Sequence, residues 1–203
     1  RDPFLSRACD LAGVGYRVIE KSGQRVLQFA AKLHEPLSTW AKCHFSVLID
    51  ADGDGVADQE LVGMMASDLA GLDEVDKFAS VLLDAGKARR IRKEYDQSIL
   101  SGKGGVKLNY APSVVDLRAM YAFGHSTIAL VEAALDKLIV DPTGALSVRI
   151  ATSYYEAYAA EGDDYLDTDE PWIKISIAKN GAGYVDLPEA ITLKPGESKT
   201  VSF

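Results

Sequence analysis

The sequence predicts an all-β fold, an antiparallel sandwich carrying one or two short helices, on three observations. Apolar and polar residues alternate with period two through its clearest segments. Tight-turn residues sit between pairs of such segments, as hairpins require. Gly, Pro and Asp punctuate many short strands instead of separating long helices from strands, which fits packed sheets better than α/β layers.

Taken in order, Gly15 to Glu20 and Gln24 to Leu33 flank Lys21-Ser22-Gly23 and read as one hairpin. Residues 44–49 alternate, placing Phe45, Val47 and Ile49 on one face. Residues 78–83 and 146–151 read as further strands, and 172–179 puts Ile173, Ile175 and Ile177 opposite Lys and Ser. Residues 127–138 are apolar enough for an amphipathic helix; their β-branched start favours a strand over 127–132 followed by one helical turn. Residues 114–120 read as a short helix or turn. The end, 191–203, reads as two strands about Pro195-Gly196. One domain over 1–203 is the simplest organisation, with a subdivision near 160–170 left open.

With 47% hydrophobic and 26% charged residues, the 203-residue chain can bury a sizeable core. Its formal charge of −8 argues against a nucleic-acid partner, because phosphate neutralisation needs clustered Lys and Arg. The basic run Lys87-Ala88-Arg89-Arg90-Ile91-Arg92-Lys93 is followed at once by Glu94 and Asp96, and reads as a solvated strand or helix face. No apolar run approaches the roughly 18–20 residues that cross a bilayer as a helix. Cys9 and Cys43 either close a disulfide or remain two buried thiols, and the spacing leaves both open. The ends at Arg1-Asp2-Pro3 and Val201-Ser202-Phe203 read as boundaries of a larger exported chain.

Chemistry concentrates in Asp50-Ala51-Asp52-Gly53-Asp54-Gly55-Val56-Ala57-Asp58. Aspartates at positions one, three, five and nine with Gly at six match the first nine positions of a calcium loop. The expected ligands are the carboxylates of Asp50, Asp52, Asp54 and Asp58 and the carbonyl of Val56, around a structural Ca²⁺. Crowded carboxylates repel one another, and a divalent ion relieves that repulsion. The pattern departs from an EF-hand: Leu61 stands where the bidentate Glu belongs, Glu60 falls one place early, and a strand precedes the loop. Asp163, Asp164, Asp167, Asp169 or water are candidates for a missing ligand.

Nothing comparable points to catalysis. His34, His44 and His125 are scattered, and Gly124-His125-Ser126 lacks the Gly-x-Ser-x-Gly elbow. There is no His-Glu-x-x-His pair and no phosphate-cradling Gly loop. The cluster from Asp163 to Glu170 reads as a solvated loop. Tyr154, Tyr155, Tyr158 and Tyr165 alternate in a way that buries one and exposes the next.

The run Phe45 to Val62, a hydrophobic strand ending in Ile49-Asp50, an Asp-Gly turn and a resumed strand, resembles accessory β-sandwich regions downstream of secreted bacterial subtilisin-like serine proteases. Residues 127–138 agree loosely. The stretch Leu193 to Phe203 is similar to the closing hairpin of fibronectin-like and immunoglobulin-like domains. That resemblance implies an immunoglobulin/fibronectin-like or jelly-roll-like sandwich, secreted or on the bacterial cell surface, with no catalytic residue of its own. Its partners would be a neighbouring catalytic domain of the same chain and a protein substrate or glycan. The peptidase segments Asp-Ser/Thr-Gly, His-Gly-Thr and Gly-Thr-Ser-Met-Ala are absent. A similar Ile-Asp-Ala-Asp turn occurs in sugar-binding sandwiches of secreted glycosidases, which makes a carbohydrate-binding module, using Trp40, Trp172 or the tyrosines, the alternative. A structural adhesin-type module is the third reading.

Overall fold

The computed structural model describes residues 9–40, 43–65, 69, 77–102, 108–141, 144–154, 163–165, 172–177, 182–186 and 190–193, the backbone alone for 153–154, 163–165, 182–186 and 190–193. Strands β1 (Leu11–Lys21) and β2 (Gln24–Leu37) form a hairpin. Its two turn residues, Ser22 and Gly23, have φ of 52° and 75°, the left-handed pair that matches strand twist. β3 (Cys43–Asp50) and β4 (Gln59–Met65) form a second hairpin, and β5 (Phe78–Asp84) runs directly into helix α1 (Ala85–Leu100). β6 (Val114–Ala119), the two-residue β7 (Tyr121–Ala122), β8 (Ser126–Ala134) and β9 (Ala145–Tyr154) follow. β10 (Asp163–Tyr165), β11 (Ile173–Ser176), β12 (Ala182–Asp186) and β13 (Ala190–Leu193) complete the described order.

All pairings are antiparallel, and they build two sheets. One has the order β13-β12-β1-β2-β8-β7. The other runs β10-β9-β3-β4-β5-β6, with β11 beside β10 along the same edge of β9. The expected sandwich is therefore what the chain forms.

The main core lies between the sheets because period-two alternation turns every second side chain inward. Leu27, Phe29, Ala31 and Leu33 of β2 meet Phe45, Val47 and Ile49 of β3, with Val131, Leu146 and Val148, all nearly inaccessible. Gly63 of β4 marks the tightest approach. A Cβ built there would lie 2.6 Å from Met120 Sδ, 2.8 Å from its Cε and 3.0 Å from Val131 Cγ1. A smaller core forms on the outer face of the second sheet, where Val62, Met64, Val81 and Leu83 pack with Ala88 of α1.

Helix α1 occupies the stretch read from sequence as a solvated basic face, and its 16 residues exceed the short helices expected. Ala, Lys, Arg, Gln and Glu favour helix intrinsically, and Asp84 caps it by accepting the Lys87 N–H at 2.8 Å. Residues 114–120 form a strand over Val114–Ala119, not a helix or turn, because β5 offers a ladder that local propensity cannot foresee. The split reading of 127–138 matches the structure: β8 ends at Ala134 and one 3-10 turn, Leu135–Lys137, follows.

Cys9 and Cys43 are disulfide-bonded, with Cα atoms 5.8 Å apart, and so tie the entry of β1 in one sheet to β3 in the other. Thr152 Oγ1 donates to the Cys9 carbonyl at 2.6 Å beside this bridge. The sheets also meet at β8. Ser80 Oγ accepts the Glu132 N–H at 2.7 Å and donates to the Glu132 carbonyl at 2.8 Å, while Asp116 Oδ2 accepts the Ala134 N–H at 2.9 Å. Asp116 also takes Arg118 Nε at 2.7 Å. Inward-turned charges and a bulge between Leu82 and Leu83 protect β6 from adventitious strand pairing.

Gly63→Ala overfills the core and should lower unfolding stability by about 1–3 kcal/mol, read from urea denaturation; an unchanged midpoint would mean Met120 yields freely. Burial pushes the Asp116 carboxyl up, but the Ala134 N–H, Arg118 and the Leu117 N–H outweigh it and hold its pKa below the ordinary value. A depressed folded pKa contributes stability that is present above the unfolded value, about 3.9, and is lost as pH falls through the folded one. Asp116→Asn should therefore flatten the loss of stability on acidification below about pH 4. Equal slopes for the two proteins would refute this role.

Candidate metal centre

The Asp-rich segment is the connection of the β3–β4 hairpin, residues 51–58. Strand alternation carries Asp50 to the end of β3, where it is only 3% exposed. Its carboxylate is held from both sides: Oδ1 accepts the Gly53 N–H at 2.7 Å and Oδ2 the Gly55 N–H at 2.9 Å. Gly53 and Gly55 have φ of 78° and 83°, and no atom lies within 4 Å of a Cβ built at either. Glycine is needed there for backbone conformation, not for space.

Asp58 closes the other side. Its N–H donates to the Ile49 carbonyl at 2.8 Å, and its Oδ2 accepts the Ala51 N–H at 2.9 Å. One carboxylate oxygen each from Asp50, Asp52 and Asp58 lies within 4.8 Å of the others. Among the described residues this is the one group of three His, Cys, Asp or Glu side chains so placed. Asp54 stands apart from it, exposed, with Oδ1 accepting the Val56 N–H at 2.7 Å. The Val56 side chain is exposed too, and being hydrocarbon it has no donor, so the carbonyl is the group it could offer an ion.

Lone pairs remain on all three carboxylates, since each oxygen can accept twice. Hard oxygen donors of this kind suit Ca²⁺, which accepts irregular multi-carboxylate sets. Magnesium demands stricter octahedral geometry and holds its waters.

The outlying candidates fall elsewhere. Asp163 and Asp164 sit on β10, which pairs with Ser153 and Thr152 of β9, whereas Asp50 pairs with Ser147. Five residues of strand put them about 17 Å further along β9, too far to complete the group. Asp167 and Asp169 lie outside the described residues. Glu60 is engaged elsewhere, hydrogen-bonded to the Ser46 hydroxyl, where burial raises its pKa against the opposing effects of Ser46 and Arg89.

A cleft of about 850 Å³ opens beside the loop. Asp52, Asp58, Val140, Asp141, Ser147 and Lys174 are among the residues that line it. The ladder explains this last pair, because Ser147 faces Asp50 on one side and Lys174 on the other. Sequence reasoning missed Asp141, Ser147 and Lys174; no local pattern marks them, and only strand order gathers them. It also missed the polar group of Lys21, Gln28 and Glu132. There Glu132, 2% exposed, accepts Lys21 Nζ at 2.6 Å and Gln28 Nε2 at 2.7 Å, a placement hinted at by one acid inside an apolar strand.

The three histidines stay apart in the chain's architecture, His34 in β2, His44 in β3 and His125 in the turn before β8. Trp40, considered for sugar stacking, is a core residue at 2% exposure. Trp172 is half-buried. Tyr155 and Tyr158 lie outside the described residues, as do the side chains of Tyr154 and Tyr165. No protein-family model, curated protein or solved structure matches the chain.

Proposed function

We propose that the chain is a non-catalytic, calcium-stabilised accessory sandwich of a secreted multidomain protein, the catalytic partner being a subtilisin-like serine protease. The observation that carries the metal half of this reading is the convergence of Asp50, Asp52 and Asp58, one of them buried, at the end of a core strand. Burial of a carboxylate among others of like charge is unfavourable unless cations or donors offset it. Two backbone N–H groups offset part of it at Asp50, and a divalent ion would offset the rest. The inter-sheet disulfide supports an oxidising compartment, where such bonds persist. The protease connection is supported by the strand-loop-strand from Phe45 to Val62. Its role would be stability, substrate presentation or attachment. The burial of Trp40 removes one of the aromatics that a carbohydrate-binding reading needs.

Millimolar calcium should raise the melting temperature relative to excess chelator. At about 100 times its dissociation constant, a native-state ligand contributes about 2.7 kcal/mol, or about 5–10 °C for a domain of this size. Asp50→Asn should abolish the shift. Coincident melts with calcium and chelator would remove the metal from the proposal. Serine-inhibitor-sensitive cleavage of casein by this chain would remove the non-catalytic role.

A further inference from the structure

We infer that helix α1 and the 51–58 loop are one opening unit, so that whatever orders the loop also seats the helix. The loop–helix link stands on contacts present in the chain; its extension to calcium rests on the function proposed above.

The helix has little apolar hold of its own, since Ala85 and Ala88 are its buried residues. From Arg89 onward its side chains are exposed or half-buried. A helix so placed depends on contacts near its N-terminus, where four backbone N–H groups lack intrahelical partners. The Ala85 N–H is one of these, and it donates to the Asp58 carbonyl at 2.9 Å. One turn later, Arg89 Nη1 donates to the Ala57 carbonyl at 3.0 Å. Two successive loop carbonyls therefore hold the start of α1. Ala88 packs on the sheet, in the cluster against which Tyr110 also rests.

Asp58 is the pivot. Its carbonyl serves the helix, its N–H closes the hairpin onto Ile49, and its carboxylate holds the Ala51 N–H within the acidic group. If the loop opens, the Ala85 N–H and the Arg89 guanidinium lose their acceptors together. If the helix leaves, two loop carbonyls lose their donors. Regions linked in this way open as a cooperative unit below the free energy of global unfolding. A ligand that binds only the closed loop must also favour the seated helix, by linkage.

Hydrogen exchange followed by mass spectrometry on the whole chain tests this from both sides. Arg89→Ala perturbs the helix side, and Gly55→Ala strains the loop side at its positive φ. Each should speed exchange about tenfold in both 51–58 and 85–100, with β2 and β8 unchanged as internal controls. A variant that loosens its own segment alone, or that speeds β2 and β8 equally, overturns the unit. Terbium luminescence then reports whether the loop takes a cation. Terbium binding with calcium slowing exchange in both segments supports the coupling. Terbium binding without any slowing in the helix overturns it. No cation binding, with both variants still loosening both segments, leaves the unit standing and defeats the calcium reading.

Discussion

Buried backbone groups must find partners, and that constraint decides how the two sheets join. β7 pairs with only Leu130 and Ala129 of β8, so the next turns of that strand would present unpaired N–H and C=O groups to an apolar interior. The second sheet supplies the partners from side chains: Ser80 serves both polar groups of Glu132, and Asp116 serves Ala134. Leaving such groups unsatisfied costs about 1–3 kcal/mol each. Extending the β7 pairing to Glu132 and Ala134 would need Ala119 and Leu117, which instead pair with Ala79 and Val81 of β5. Side chains of one sheet thus finish the ladder of the other.

The same accounting governs the chain that follows β8. Gln59, the first residue of β4, donates its side-chain amide to the Lys137 carbonyl at 2.9 Å and accepts the Ile139 N–H at 2.7 Å. That fixes the chain after the 3-10 turn, and with it Val140 and Asp141 on the cleft wall. Loop 51–58 satisfies itself with carboxylates as acceptors, in the Asx manner typical of tight turns. Because every aspartate there already accepts at least one N–H, the loop holds its shape while keeping lone pairs free for a cation.

Charge is arranged around this loop with some economy. The stretch of α1 from Lys87 to Lys93 carries Lys87, Arg89, Arg90, Arg92 and Lys93, and the helix has no acid in its first turn, against the preference set by the helix dipole. The carboxylate of Asp84 and the carbonyls of Ala57 and Asp58 stand at that end and offset the mismatch. A basic run that looks purely solvated in sequence is in part the clamp that holds the helix beside the acidic hairpin.

By itself the sequence determined what depends on near neighbours. Alternation is a local property, so the strands around Phe45, Leu146 and Ile175, and the turn at Ser22-Gly23, were all legible. So was the candidate site, because its aspartates lie within nine residues and their spacing already describes a loop. What tertiary structure decided depends on partners remote in the chain. Residues 114–120 became a strand because β5 was there to pair with, and Trp40 became core because two sheets closed over it. Asp163 and Asp164 were separated from Asp50 by the register of β9, and Lys174 was brought near it by the same register. No spacing rule encodes such meetings, since hydrogen-bonded ladders join residues by geometry across a hundred positions or more.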